Sequence, residues 1–196
     1  MKRLNNYIYE WKANTNTMSS IEKHDIQYFV YNIKIKNLIK IFNSNWTQFK
    51  FYKDKVYING EHVKLNDYGR TTDLYNPGTY MVEIKDIDEI INCDYMFYEC
   101  DQLVSVPLFD TSKVKYMKGM FFNCIKLEKV PLFDTSNVIT MYGMFHECEK
   151  LKNVPKFNID NVNDLNFIFY KCPNLNRITI NNWSSVYDFE THKQKI

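Results

Sequence analysis

The chain is poor in the residues that interrupt or loosen regular structure. Its 196 residues include five glycines and five prolines, and Ala13 is the single alanine. It contains no run of 18 apolar residues, so the sequence predicts no membrane-spanning helix. Its start, Met1 to Leu4, leads into polar sequence without the apolar core of a signal peptide. We therefore expect a protein of the reducing cytoplasm.

Motifs of catalysis and of phosphate or calcium binding are also missing. The sequence has no glycine-rich phosphate loop, no Gly-x-Ser-x-Gly, no His-Glu-x-x-His and no calcium-binding loop. Four histidines are spread along the chain, and only His146 is close to a cysteine, Cys148. We therefore predict that the protein is not an enzyme and that it uses no cofactor, metal ion or small-molecule substrate.

The charged residues are distributed unevenly along the chain. Residues 1–60 contain ten Lys and Arg against four Asp and Glu, a net charge of +6. Residues 61–196 contain 15 against 19, a net charge of −4. The positive charges are scattered and accompany no recognised nucleic-acid-binding motif, so nucleic acid is not the expected partner.

What the sequence does contain is a 24-residue repeat in its C-terminal half. Phe97, Phe121, Phe145 and Phe169 recur at this spacing, and a cysteine follows each of them three residues later. Stacked units of this kind place equivalent side chains on one another in a continuous core. The other constant columns are Leu103/Leu127/Leu151/Leu175, Val106/Val130/Val154/Ile178, Val114/Val138/Val162/Val186 and Met117/Met141/Leu165/Phe189.

The four cysteines of the repeat are predicted to be core thiols. A straight column at strand spacing cannot converge on one ion as tetrahedral zinc requires. Free cysteine is among the residue types most often buried, and disulfides are rare in a reducing cytoplasm. Cys100, Cys124, Cys148 and Cys172 are therefore expected to contribute to stability and not to chemistry.

The repeat resembles the BspA-like leucine-rich repeats, in the variant associated with mycoplasma lipoproteins. The resemblance rests on Met-Phe-x-x-Cys-x-x-Leu-x-x-Val-Pro-x-Phe-Asp-Thr-Ser-x-Val-x-x-Met, which is nearly intact at residues 96–117 and 120–141. It implies an α+β fold with two parts. Residues 1–81 form a small N-terminal α+β capping domain, and residues 82–196 form a short leucine-rich-repeat solenoid of about four 24-residue units. It also implies a binding or adhesion module.

The N-terminal part has its own predicted elements. Leu4, Tyr7, Ile8 and Trp11 form one face of a short amphipathic helix, either a docking helix or a lid on the core. The other predicted elements are a strand at Tyr28–Tyr31, a helix carrying Ile35, Leu38, Ile39 and Phe42, extended chain from Phe49, a hairpin turning at Asn59-Gly60 and a strand at Tyr80–Ile84.

The candidate partner-binding residues are those directly after each core phenylalanine: Tyr98, Phe122, His146 and Tyr170. If this column points outward, it forms an aromatic stripe, and aromatic residues dominate the hot spots of interfaces. The alternative is that it packs under a loop or a neighbouring domain. The columns Val104/Glu128/Lys152/Asn176 and Ser105/Lys129/Asn153/Arg177 are expected to be solvated and could add specificity.

These observations predict a non-enzymatic protein–protein interaction module whose partner is a protein. The segment 4–12 together with the repeat resembles small proteins of phages that infect gut Bacteroidetes. This resemblance implies binding to a host or virion protein, for example as an inhibitor of a defence system in the host cytoplasm. The alternative is an adhesin-like surface protein or a structural protein of the virion.

Overall fold

The computed structural model describes residues 28–34, 37–85, 87 and 90–195. Its strands are β1 (Tyr28–Ile33), β2 (Val56–Ile58), β3 (Glu61–Val63), β4 (Gly78–Ile84), β5 (Leu103–Ser105), β6 (Tyr187–Asp188) and β7 (Lys193–Gln194), and its helices are α1 (Phe49–Tyr52) and α2 (Arg177–Trp183). The segment with Leu4, Tyr7, Ile8 and Trp11 lies outside the described residues. Within the described ranges, no helix is long and apolar enough to cross a membrane.

The central sheet contains five strands in the order β3-β2-β4-β1-β5, and all neighbours are antiparallel. The predicted β2–β3 hairpin is confirmed, with Asn59 and Gly60 at φ 54° and 86° in its turn. Asn and Gly adopt this left-handed conformation most readily, and a two-residue hairpin turn needs it. The predicted strands at Tyr28–Tyr31 and Tyr80–Ile84 are also confirmed, as parts of β1 and β4.

Two elements of the N-terminal part differ from the prediction. The described part of the predicted helix, residues 37–42, is extended, because Asn37 and Ile41 donate their backbone N–H groups to Tyr75 and Gly69 at 3.0 and 2.9 Å. Where extended chain was expected, α1 forms instead. Its buried residues, Phe49 and Tyr52, are three apart, which is the spacing of one helical face.

The predicted leucine-rich-repeat solenoid with an N-terminal cap is wrong. The fold is mostly antiparallel sheet, with the five-stranded sheet, the β6–β7 hairpin and two short helices in the described chain. The repeat contains four Leu-x-x-Val or Leu-x-x-Ile segments, all within the described residues 90–195. Only the first of them forms a strand, β5, which pairs antiparallel with β1. The next two meet through single parallel bridges, Ser105 to Lys129 and Lys129 to Asn153.

The reason lies in the backbone donors. A proline follows the valine of the first three units, and proline has no N–H to give to a strand ladder. In the segment around each core phenylalanine, every second N–H closes a turn within the unit, as from Cys124 to Phe121. In the first three units, the alternate N–H groups reach the next unit, as from Phe121 to Met144 at 2.9 Å. The units therefore stack as hydrogen-bonded turns instead of as a parallel sheet.

The third residue of two turns in each unit has a positive φ, as a type II turn requires. One such column is Tyr95/Gly119/Gly143/Phe167, and the other is Glu99/Asn123/Glu147/Lys171, with φ between 55° and 59° throughout. The turns are therefore repeated with the same handedness along the stack. Their regularity keeps each side chain of one unit above its equivalent in the previous unit.

The core of the stack is a ladder of parallel phenylalanine rings. The ring centroids of Phe97, Phe121, Phe145 and Phe169 are separated by 5.5, 5.6 and 5.8 Å, and adjacent rings are within 8° of parallel. All five cysteines are buried and free, as the prediction of core thiols required. The Cys124 and Cys148 thiols donate to the carbonyl oxygens of Phe97 and Phe121, each at 3.0 Å.

Both ends of the stack are closed by chain that replaces a missing unit. At the first unit, Asn43 N–H and Trp46 Nε1–H donate to the carbonyl oxygens of Met96 and Asn92, at 2.9 and 2.7 Å. In later units the equivalent carbonyls accept from the preceding unit. At the last unit, Leu165 N–H donates to Gln194 Oε1 at 3.0 Å.

The buried residues of the sheet and of the stack form one continuous hydrophobic cluster. Phe29 on β1 contributes to it, with its ring 5.4 Å from Phe97 and 6.2 Å from Phe109. The proposed division into residues 1–81 and 82–196 stays a prediction.

Candidate binding surface

The outward side of the turns carries a second file of aromatic rings, parallel to the buried one. We call Tyr98, Phe122, His146 and Tyr170 the aromatic ladder. Adjacent ring centroids in the ladder are 4.9, 4.2 and 4.8 Å apart. His192 extends the file by one ring, 4.9 Å from Tyr170. The ladder side chains are half-buried, whereas the phenylalanines that precede them are buried.

The turn geometry places the ladder on the surface. Each ladder residue donates its backbone N–H to the carbonyl oxygen three residues earlier, as from Phe122 to Gly119 at 3.1 Å. The preceding phenylalanine points into the core, so the next side chain points away from it. Because the units stack in register, the four sequence-predicted site residues come together in one continuous row. The structure therefore places all four side by side.

A second group of rings beside the ladder was missed by the sequence analysis. Tyr95 lies 5.8 Å from Tyr98, and Phe167 lies 5.7 Å from Tyr142 and 5.9 Å from Tyr170. Tyr95 and Phe167 share their column with two glycines, so this column looks like turn sequence and not like an aromatic site. The sequence feature that could have revealed this group is the alternation of aromatic residues and glycine in the column Tyr95/Gly119/Gly143/Phe167.

Lys118 connects this second group. Its ammonium nitrogen lies 5.8 Å from the ring centre of Tyr95 and 5.5 Å from that of Tyr142. A hydrogen bond to Tyr95 raises the pKa of Lys118, and the tyrosine rings supply the electron-rich faces that attract a cation. The aromatic surface thus includes the exposed positive charge of Lys118 among its rings.

The charges along the rim of the ladder are mostly paired. Lys171 Nζ lies 2.5 Å from Glu147 Oε1, and Lys40 Nζ lies 3.3 Å from Glu99 Oε2. The Lys40 side chain is 7% exposed, so the second pair is anchored inside the protein. The surface between these pairs is aromatic, which is the composition that favours contact with another protein.

The pKa shifts on this surface reflect its partial burial. Burial raises the pKa of the Tyr98 hydroxyl above its ordinary value. Burial lowers the pKa of the His146 imidazole, while the nearby Glu147 carboxylate acts in the opposite direction. The hydrogen bond to Glu147 raises the pKa of Lys171.

His146 and Cys148 lie two residues apart, on the outer and inner sides of the turn. The thiol of Cys148 points into the core and donates to Phe121, and burial raises its pKa well above the ordinary value. His146 instead contacts Phe122 and Tyr170, so the neighbouring cysteine and histidine do not form a nucleophilic pair. Among the described residues, no group of three His, Cys, Asp or Glu side chains is placed to hold a metal ion.

An open groove of about 760 Å³ continues from the end of the ladder. Tyr170, Lys171 and His192 line it together with the apolar side chains of Ile180 and Phe189. The ladder therefore ends in a concave region where the last unit has no following unit above it.

The two columns expected to be solvated are largely so. Glu128, Lys129, Lys152 and Asn153 are exposed, while Val104 and Ser105 on β5 are half-buried beside β1. These exposed side chains lie on a different part of each unit from the aromatic ladder.

Comparison with known proteins places the repeat in a family. Residues 83–194 match the family described as "Mycoplasma protein of unknown function, DUF285". The chain belongs to this family. No curated protein and no solved structure matches it. The more specific resemblance to BspA-like leucine-rich repeats is not confirmed.

The match to the DUF285 family covers more than half of the chain and contains the whole stack. All four residues of the aromatic ladder and all five cysteines lie within residues 83–194. The family description assigns no function.

Proposed function

We propose that the protein is a non-enzymatic module that binds another protein through the aromatic ladder. The observation that carries this proposal is the continuous row of half-buried rings, with centroid separations between 4.2 and 4.9 Å. The ladder positions differ from a core position such as Phe121, which is buried, and from a solvated position such as Glu128, which is charged and exposed. A continuous row of half-buried aromatic rings on the outer side of the turns is typical of a surface that another molecule covers.

The ladder also meets the energetic requirements of an interface. Each ring is held by its neighbours in the stack and by the turn beneath it, so little side-chain entropy remains to be lost on binding. The flanking ion pairs, Glu147–Lys171 and Glu99–Lys40, supply a polar rim around the aromatic centre. Aromatic residues in such positions contribute about 2 kcal/mol or more each when they are hot spots.

The resemblance to phage proteins suggests the kind of partner. A host protein or a virion protein is the partner that this resemblance implies, and inhibition of a defence system is one outcome of such binding. The proposal commits to a protein partner and to the surface that binds it.

The test compares three versions of the chain in quantitative affinity capture from host lysate. One is the natural sequence, and one carries Tyr98→Ala, Phe122→Ala and Tyr170→Ala. The matched control carries Leu108→Ser and Leu132→Ser, which remove apolar surface that is 50% and 60% exposed elsewhere on the stack. Circular dichroism and thermal melting verify that both variants fold.

We expect one protein to be captured by the natural chain and by the leucine control, and to be lost with the ladder variant. With the purified partner, a single ladder substitution should weaken binding about 30-fold, the equivalent of about 2 kcal/mol. Equal capture by all three folded versions would remove the ladder as the binding site.

A further inference from the structure

The C-terminal end of the ladder contains two titratable rings on either side of a tyrosine. His146 and His192 lie 4.8 and 4.9 Å from Tyr170, ring centroid to ring centroid, and both are nearly perpendicular to it. Lys171 places its ammonium nitrogen 5.6 Å from the centre of the same tyrosine ring. Three basic side chains therefore surround one aromatic ring.

The negative charge available to them is limited. Among the described residues, the charged groups that face His146 are Glu147, Lys171 and His192. His146 Nε2 is 3.9 Å from Glu147 Oε1, but the same carboxylate oxygen is already bound by Lys171 at 2.5 Å. Glu149 lines the adjoining groove with Lys171 and His192. A protonated His146 would thus have to share the Glu147 carboxylate with the ammonium group of Lys171.

The environment of His146 favours its neutral form. Its ring is packed against Phe122 at 4.2 Å and is half-buried, and removing an imidazolium from water is costly. Near neutral pH the ring is therefore an uncharged member of the ladder. Mild acid changes this, because histidine is the side chain that gains its charge between pH 5 and 8.

We propose that this end of the ladder is a pH-sensitive switch of the binding surface, in which protonation of His146 separates its ring from Tyr170. In acid, His146 and Lys171 place two positive charges beside Tyr170. Their mutual repulsion and the demand of the imidazolium for water move the His146 ring outward. The row of rings is then interrupted in its C-terminal half. Its meaning for binding rests on the proposed function, whereas the ring movement is a property of the free protein.

The experiment is a proton NMR titration of the free, full-length chain from pH 8 to pH 4.5. The imidazole signals of His146 and His192 give their titration midpoints, and the nuclear Overhauser effects between His146 and the rings of Phe122 and Tyr170 report the stacking. We expect His146 to titrate below 6.5, the ordinary value for histidine. Its Overhauser effects to Tyr170 should be lost over the same pH interval.

The matched control is His146→Tyr. Tyrosine already occupies this column at Tyr98 and Tyr170, so the variant is expected to fold, and it does not titrate in this pH range. The Overhauser effects between the rings of residue 146 and Tyr170 should then persist from pH 8 to pH 4.5. Titration of natural His146 at or above 6.5 with its ring contacts retained would overturn the proposal, since the faces of the neighbouring rings would then stabilise the cation. The same pH-dependent change in the variant would overturn it as well.

Protein stability gives a second readout with a defined sign. The pKa of His146 is lower in the folded than in the unfolded chain, so the unfolded chain takes up the proton first as pH falls. The contribution of His146 to stability is therefore complete above about pH 6.5 and is lost progressively below it. His146→Tyr should remove this part of the pH dependence. These measurements need no partner, so they stand or fall independently of the capture experiment.

Discussion

Two glycines of the repeat provide a matched test of the turn geometry beneath the binding surface. Gly119 and Gly143 are equivalent positions with φ of 56° and 57°. Alanine at either position would adopt a left-handed conformation, which costs about 1–2 kcal/mol. Part of this cost, about 0.4–1 kcal/mol, is offset because alanine also restricts the unfolded chain. The common backbone effect is therefore about 1 kcal/mol.

The surroundings of the two glycines differ. A Cβ at Gly119 would lie 3.0 Å from the Cδ1 and Cε1 atoms of the Tyr95 ring, tighter than ordinary van der Waals contact, so the ring has to give by a few tenths of an ångström. A Cβ at Gly143 would have His146 Cβ at 3.8 Å as its nearest neighbour, an ordinary contact. Gly119→Ala must therefore displace the tyrosine ring, at an additional cost of about 1 kcal/mol.

Thermal melting or urea denaturation measures the difference. For a chain of this size, about 1 kcal/mol corresponds to about 2–4 °C in Tm. We expect Gly143→Ala to lower Tm by about 2–4 °C and Gly119→Ala by about 4–8 °C. In a Tyr95→Ala background, Gly119→Ala should cost no more than Gly143→Ala does in the natural chain. Equal effects of the two single substitutions, or no coupling between Gly119 and Tyr95, would refute the reasoning.

Two further predictions concern the buried core and the closed first end of the stack. At pH 8 a thiol reagent should label none of the five cysteines of the native chain and all of them after denaturation, because burial raises their pKa, to about 12 for Cys100 and Cys172. Rapid labelling of the native chain would show an exposed thiolate. Trp46→Phe should destabilise the fold by about 1 kcal/mol more than Trp183→Phe. The reason is that Trp46 Nε1–H donates to the carbonyl oxygen of Asn92, whereas the buried Trp183 Nε1–H has no partner among the described residues. Equal losses in urea denaturation would contradict this role of the indole.

Much of the candidate site could be predicted from the repeat alone. A fixed 24-residue period places equivalent residues beside one another, whatever backbone structure each unit adopts. For that reason Phe97 and Phe121 stack in the core, and Tyr98 and Phe122 stack outside it. The prediction of buried thiols is confirmed because the constant spacing places the cysteines in a core column and free cysteine is readily buried.

The backbone structure of the units could not be read from the same pattern. Apolar residues at three-residue spacing fit a strand, a helical turn or a run of tight turns, and the sequence does not separate them. The chain forms tight turns here, and these turns place residues such as Glu99 and Lys171 at a positive φ. Sequence patterns do not identify glutamate and lysine as residues of such turns. The prolines after the valines belong to the repeat motif, and they also remove backbone N–H donors from these segments.

The error over residues 37–42 has a different cause. Their spacing suits a helix, but the loop around Gly69 supplies hydrogen-bond partners from nearly thirty residues further along the chain. A Cβ at Gly69 would lie 2.1 Å from the carbonyl oxygen of Phe42, so the close approach depends on glycine there. Such long-range pairing leaves no local trace in the sequence.

The closed ends of the stack have a consequence for how such chains diversify. Asn43, Trp46 and the β6–β7 hairpin make their closing hydrogen bonds to the first and last units, whereas the turns of an interior unit bond to the equivalent turns of its neighbours. The ends therefore do not determine how many interior units there are. Duplication of one 24-residue coding segment lengthens the outer row of rings by one step and leaves both ends intact. The size of the surface can thus evolve separately from the parts that make the fold stable.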